Sequence, residues 1–430
     1  MAQIYTLLWW VGGGCLTAVI GVLVILYFRG TFRDRIEYKV KNVPSPSDAR
    51  FPLALASLSN SVVTSGHSTN FWLESDEINT ARLEAIRSAK HTIHFETFFM
   101  TPGRRANDFA AAIAEKAQAG VEVQVIVDKY GVKTLPQRYW NRLKAAGVEI
   151  RFFNAFNWRA PIDYFARSHR KLLIIDDEFA LIGGAGISDY WDGRDNIEGS
   201  HPWYDFETRL EGEVVAVLEG MFMQHWTYVH GTADLSTTVS YPGVSSDPTI
   251  LVTAGDDPSY RSASVKALFQ VSIHAARQRL WIASPYFLAD ANIRTALATA
   301  KKRGVDVKIL TNGIRSDKRF VYFASCEQYR DLLAAGVEIY EYQPSMMHAK
   351  ALLVDDRWLS TGSANFDPRS FFHNDELDIS TSEIRLVKRI EQILLQGFAK
   401  SQQVSLSEWR KRPLWQRSVA KIVLFFESQL

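Results

Sequence analysis

Two stretches of this chain carry the same sparse set of reactive side chains. Ser168–Gly186 reads SHRKLLIIDDEFALIGGAG, and Met347–Asn365 reads MHAKALLVDDRWLSTGSAN. In each, a His is followed two residues later by Lys, five further on by Asp, and then by a glycine-containing turn. On an extended strand residues two apart share a face, so His169 and Lys171 point the same way, as do His348 and Lys350. An imidazole beside an ammonium makes a poor core, because both groups need polar partners. It suits a phosphate. The ammonium neutralises charge on non-bridging oxygens, while the imidazole attacks phosphorus or passes a proton to a leaving oxygen. The Asp falls at an odd offset from the His, so on a continuous strand Asp176 and Asp355 face away and read as structural support.

The elements that must position these residues are themselves written twice. AIRSAKHTIHFETFFM from Ala85 is echoed by SIHAARQRLWIASPYFL from Ser272, each a helix end followed by a strand rich in β-branched and aromatic residues. Residues 112–128 match 296–312 as an amphipathic helix, a Gly stop and an apolar strand. Residues 143–153 match 332–342 and share the run AAGVEI. The pieces keep their order, with a period of about 180 residues that is far too long for a solenoid. The fold class expected is therefore α/β: a duplicated α/β/α sandwich whose two halves, 51–235 and 236–400, are related by a pseudo-twofold axis. Two half-sites then make one whole site, with His169, Lys171, His348 and Lys350 in a single cleft and the attacking nitrogen roughly 3–3.5 Å from phosphorus.

Composition bounds the remaining possibilities. A chain of 430 residues, 47% hydrophobic and 22% charged, is globular and long enough for two full cores. A net charge of +2 gives no argument for nucleic acid. Cys15 and Cys326 lie far apart, so neither a disulfide framework nor a cysteine zinc site is expected. Ile4–Phe28 carries no charge and, as a helix, would reach about 37 Å, enough to cross a bilayer. Trp9, Trp10, Tyr27 and Phe28 stand near its ends, and Arg29, Arg33, Arg35, Lys39 and Lys41 follow it. These features predict an anchor over 1–30, a linker over 31–50, and a catalytic part facing the cytoplasm. The tail from 401 to 430, with clustered cations, two Trp and an apolar end, reads as a basic amphipathic segment on an anionic membrane.

The repeated motif resembles that of the phospholipase D superfamily, H-x-K-x4-D-x6-G-[SG]-x-N. The second copy matches throughout at His348, Lys350, Asp355, Gly362, Ser363 and Asn365. The first matches at His169, Lys171, Asp176, Gly183 and Gly184, but Gly186 stands where the pattern has Asn. With the hydrophobic N-terminus, GSANFDPRS and RPLWQR, the chain is most similar to bacterial cardiolipin synthases. The resemblance implies a phosphohistidine intermediate, with His169 as nucleophile, His348 as acid and then base, and Lys171, Lys350, Asp176 and Asp355 completing the catalytic set. It also implies an orienting acid for each imidazole. Glu376 is expected to serve His348 and Glu207 to serve His169, with Asp205 in reserve. Gly183, Gly184, Ser363 and Asn365 are the expected phosphate contacts.

The activity implied is transfer of a phosphatidyl group between two phosphatidylglycerol molecules, giving cardiolipin and glycerol at a bacterial inner membrane. No cofactor and no metal is expected, because the lysine pair supplies the charge stabilisation. Hydrolysis with water as acceptor, a nuclease on the same strands, and a non-catalytic lipid-binding scaffold are the other readings. His91 and His94 read as packing residues, and Glu96 as a residue that could line the site. Trp191, Trp203, Tyr204, Phe366, Phe371 and Phe372 flank the motifs and could support a lipid.

Overall fold

The computed structural model describes residues 2–28, 36–156, 158, 163–193, 201–232, 248–256 and 262–427. Arg29, Arg33 and Arg35, and the expected junction between the halves near 235, lie outside these residues. Each predicted helix–strand pair is present. Helix Glu74–Ser88 leads into strand Thr92–Thr97, as helix Ser264–Ala275 leads into Arg279–Ala283. Helices Arg104–Gln118 and Ala291–Lys302 lead into Glu122–Asp128 and Asp306–Asn312.

These strands form two large sheets. The first has seven strands in the spatial order His67–Leu73, Phe206–Glu211, Phe179–Gly183, Lys171–Ile175, Thr92–Thr97, Glu122–Asp128, Glu149–Phe153. The second repeats that order from Thr249–Ala254 to Glu338–Tyr342, with Leu377–Thr381, Trp358–Gly362, Ala351–Val354, Arg279–Ala283 and Asp306–Asn312 between. Parallel pairs join the strands separated by helices, and antiparallel pairs join the motif hairpins. The result is a mixed α/β fold with duplicated halves.

The halves are not cut where the sequence repeat implied. Strand Val62–Ser65 pairs with Thr249–Ala254 in the second sheet, and helix Phe51–Ser59 packs on that half through Phe51 and Leu55. Ser401–Gln403 adds the opposite edge strand, beside Glu338–Tyr342. The segment 51–65, placed by sequence in the first half, therefore belongs to the second. Repeat matching could not see this, because the segment has no counterpart in the other copy. The C-terminal helix Leu414–Phe425 docks on helix Arg319–Ala334, with Trp415 against Phe323 at 5.5 Å. Residues Ala2–Phe28 form one helix. Its side chains are described only at 9–10, 12–24 and 26, and among the described residues no helix is long and apolar enough to cross a membrane. The expected transmembrane anchor is thus not a finding of this structure.

The motif aspartates explain their own place. Asp176 and Asp177, and Asp355 and Asp356, all have φ between 49° and 56° and occupy the two central positions of tight hairpin turns. Asp tolerates that left-handed conformation, and such turns match the twist of the flanking strands. Asp176 then accepts hydrogen bonds from the backbone N–H groups of Lys90, His91 and Thr92 at 2.7–2.8 Å. Asp355 does the same for Arg277, Gln278 and Arg279 at 2.8–2.9 Å. Each carboxylate caps the start of the neighbouring strand, at the opposite end of the hairpin from the His. The resemblance implied a place for them in the catalytic set; they instead fix the hairpin that aims the His–Lys pair.

Replacing Asp176 with Ala should cost about 1–3 kcal/mol, since three N–H groups lose a charged acceptor. Turnover per folded molecule should stay within about twofold. Thermal unfolding alongside activity of the folded fraction checks this. A hundredfold loss of turnover at unchanged Tm would place Asp176 in the chemistry instead.

Candidate active site

The two halves meet through short parallel pairings that carry the reactive residues. Arg167–Ser168 pairs with Asn374–Asp375, and the His169 N–H donates to Asp375 O at 2.8 Å. On the other side of the pseudo-twofold, Tyr204 bridges to Met347, and the His348 N–H donates to Tyr204 O at 2.8 Å. The residue after each pairing is an acid. Each imidazole is therefore held by a carboxylate from the other half: His169 Nδ1 lies 2.9 Å from Glu376 Oε2, and His348 Nδ1 lies 2.8 Å from Asp205 Oδ2.

This corrects the expected pairing. Glu376 serves His169 rather than His348, and Asp205 takes the place given to Glu207. Sheet register shows why. Gly183 pairs with Glu207 and Gly362 with Asp378, so Glu207 corresponds to Asp378 and Asp205 to Glu376. Matching by residue type misphased the first half by two positions. Glu207 is instead bound by Arg82, whose Nε lies 2.8 Å from Oε1. The same guanidinium donates to Ala185 O and Gly186 O and so fixes the motif loop.

Both orienting acids collect further donors. Ser363 and Ser370 donate to Glu376 at 2.5 and 2.7 Å, and Trp191 Nε1 donates to Asp205 at 3.0 Å. Burial alone would raise Asp205, but His348 and Lys350 outweigh it and hold the carboxyl at about 2. Glu376 is likewise held below its ordinary value, with His169 and Lys171 overcoming burial. Both acids therefore stay ionised and accept the Nδ1–H, which leaves each Nε2 as a lone pair.

The cations are buried too. Lys171 Nζ donates to His169 O at 2.6 Å and Lys350 Nζ to His348 O at 2.5 Å. Burial, then the opposing Lys350, lowers Lys171 to about 7; burial lowers Lys350 to about 8. Burial and the lysines push His169 down to about 4 and His348 to about 3, against the pull of their carboxylates. Each imidazole feels both lysines, so the four groups share one pocket between the halves. A phosphodiester anion entering there would offset the mutual repulsion of two cations.

The expected phosphate contacts divide. Gly183 and Gly184 are required by close approach: a Cβ on either would lie 2.5 Å from Phe206 O or Asp205 Oδ1. The Gly184 N–H already points at Phe206 O. Ser363 is spent on Glu376 and on the Leu377 N–H. These three thus shape the acids and do not form a phosphate cradle. Asn365 does line the open cavity, and among the described residues its Oδ1 has no partner. Gly186 has no room for Asn, since a Cβ there would lie 2.6 Å from Phe99 O and 3.3 Å from the Trp191 ring. The indole of Trp191 fills that side and packs edge-on to His348.

Beside His169 a cavity of about 420 Å³ opens between the halves, lined by Phe98, Tyr164 and Tyr286 among others. The aromatics singled out from sequence are not its walls. Trp191, Trp203, Tyr204, Phe366, Phe371 and Phe372 are all buried. Glu96 is also buried, accepting from Ser168 and His225 at 2.6 Å behind the site. His94 lies 2.9 Å from Glu219, and His91 caps onto Asp176 through its backbone. Two groups bring three possible metal ligands within 4.8 Å of one another, His94–Asp177–Glu219 and His225–Asp256–Asp375. Neither contains a motif histidine. Burial works against charge on His225, but Glu96 outweighs it, and with Asp256 and Asp375 pushes it to about 10, the behaviour of an ion-pair cluster.

A duplicated α/β fold that joins one His–Lys pair from each half defines a phospholipase D-like enzyme. The family described as "Cardiolipin synthase, PLD-like domain" matches residues 83–198 and 270–396, and the chain belongs to it. The chain is 33% identical over 353 residues to cardiolipin synthase 2 of Bacillus anthracis, covering 80% of this chain and 67% of that one. It is 33% identical over 341 residues to cardiolipin synthase A of Pseudomonas fluorescens (strain SBW25), covering 79% and 70%. The crystal structure of phosphatidylserine synthase from Haemophilus influenzae Rd KW20 matches with TM-score 0.66 at 16% identity, over 88% of this chain and 99% of that one. That last likeness supports the fold.

Two predictions follow from the buried charges. Glu376→Gln should lower kcat by about 10²–10⁴-fold with the fold retained, because Nδ1 loses its anionic acceptor while the shape is kept. Lys171→Met should be inactive yet more stable, by on the order of 1–3 kcal/mol. Lys171 has a folded pKa near 7 against 10.5 unfolded, so its cost is fully present below pH 7 and vanishes above 10.5. The gain in Tm should therefore be largest near pH 6 and shrink as pH rises; a gain that grows with pH would refute the assignment.

Proposed function

We propose that this enzyme transfers a phosphatidyl group from one phosphatidylglycerol to another, giving cardiolipin and free glycerol. The observation that carries the reading is the crossed pair of imidazole–carboxylate dyads about a shared lysine pair, because a double displacement at phosphorus needs a base on each side. His169 attacks phosphorus through its Nε2 lone pair, and His348, which takes up a proton at Nε2 when the substrate anion enters beside it, passes that proton to the departing glycerol oxygen. The resulting phosphohistidine is then taken by the hydroxyl of the second lipid, with His348 receiving the proton. Lys171, Lys350 and Asn365 stabilise the phosphoryl oxygens. The family membership and the relatives' names supply the substrate class.

The enzyme works at a membrane surface in this reading. Helix Ala2–Phe28 exposes Leu16, Val19, Ile20, Val22, Leu23 and Val24, an apolar array suited to a bilayer. The docked C-terminal helix turns Leu414, Trp415 and Ile422 outward beside exposed Phe320, with Lys411, Arg417 and Lys421 among them. The cations that follow the first helix in sequence support a catalytic part on the cytoplasmic side of a bacterial inner membrane.

Mass spectrometry of the products from defined phosphatidylglycerol vesicles tests the activity. Cardiolipin with equimolar glycerol is expected; phosphatidic acid alone would make the enzyme a hydrolase. Denaturing quench of His348→Ala at alkaline pH, where a P–N bond survives, should leave label from labelled lipid on the peptide containing His169. Label on any other residue would reverse the two roles.

A further inference from the structure

The cavity beside His169 is built asymmetrically. Its first-half wall carries His169 and Arg167, and Arg167 is already bonded to buried Asp128 at 3.2 Å. Its second-half wall carries Asn365, Lys318 and Arg369. Lys318 lies over the Tyr286 ring at 4.6 Å, and the Tyr286 hydroxyl donates to Asp317 at 2.6 Å. Arg369 donates to Phe165 O and Asn374 Oδ1 at 3.2–3.3 Å, which fixes its guanidinium across the mouth between the halves. Asp367 is the one acid on the lining among the described residues, and it accepts the Ser370 N–H at 2.8 Å. Asn365 is buried, lines this cavity, and among the described residues its Oδ1 has no partner.

Attack on a phosphohistidine at His169 must come in line from the opposite side, along this second wall. Water would need nothing there. An acceptor with its own glycerophosphate headgroup would need a second anion site, because five single bonds separate its terminal hydroxyl oxygen from its phosphorus, a span of roughly 6 Å. Lys318 and Arg369 stand along the wall beyond Asn365 with that charge. We propose that Lys318 and Arg369 form the acceptor subsite, holding the phosphodiester of a second anionic glycerophospholipid while Asn365 accepts a hydrogen bond from its glycerol hydroxyl. The inference rests on the transferase reading and adds what makes the acceptor a lipid. In the step it serves, the acceptor oxygen bonds to phosphorus and the P–N bond breaks with its electrons returning to His169 Nε2. The hydroxyl proton passes to His348.

The test uses the full chain in phosphatidylglycerol vesicles and two acceptors for one donor. Cardiolipin formation reads the lipid acceptor, and incorporation of labelled free glycerol into phosphatidylglycerol reads a neutral one. Lys318 is exposed, so its substitution spares the fold. Lys318→Glu should lower the ratio of cardiolipin formation to glycerol exchange about tenfold, and Lys318→Arg should restore it. Arg369→Lys should lower the same ratio more mildly. An unchanged ratio, whether both activities fall together or neither moves, overturns the subsite. Absence of glycerol exchange in the unsubstituted protein instead rejects the transferase reading on which it stands.

Discussion

An imidazole that must attack phosphorus needs its other nitrogen tied down, and the tie must be an anion that stays ionised when buried. Here that anion comes from the opposite half. Glu376 reaches His169 and Asp205 reaches His348 because each acid directly follows a residue paired with the partner motif. The requirement propagates outward. Ser363, Ser370 and Trp191 keep the carboxylates charged, Gly183 and Gly184 let strand and acid approach, and Arg82 clamps the loop that cannot carry Asn.

The second constraint is the cost of two ammonium groups in one dry pocket. Burial lowers each lysine, Lys171 to about 7 and Lys350 to about 8, and among the described residues neither has a carboxylate bonded directly to it. Backbone carbonyl oxygens of the motif histidines receive them instead. Such a site is unfavourable when empty of substrate and favourable when an anion enters, so binding energy is released where the chemistry occurs. The hairpins capped by Asp176 and Asp355 must then hold the pocket together against its own repulsion, which gives those distant carboxylates their purpose.

Much of this was legible in the residues. The period-two spacing of His and Lys, the order of repeated helices and strands, and the need for a group on each side of phosphorus led to a shared site between halves. The partner of each imidazole was not legible, because two acids lie two residues apart in YDFET and only sheet register separates them. The membership of Phe51–Ser65 in the second half was hidden for another reason. Pairing between distant strands leaves no trace in local periodicity, and that segment has no repeat to betray it. The aromatics near the motifs misled because proximity in sequence says nothing about which face a ring takes. Those in the cavity wall are Phe98, Tyr130, Tyr164, Phe165 and Tyr286, of which Tyr164 and Phe165 precede the first motif and the others are distant in sequence.

The crossed arrangement also gives the enzyme a form of fail-safe. Neither half holds a complete dyad, so a molecule whose halves have separated keeps no aimed nucleophile, and one with both imidazoles in order has its halves correctly joined. A partly unfolded or newly made chain is thus a harmless one. Catalytic competence and correct assembly are read by the same two hydrogen bonds, 2.9 and 2.8 Å long, and cannot be gained one without the other.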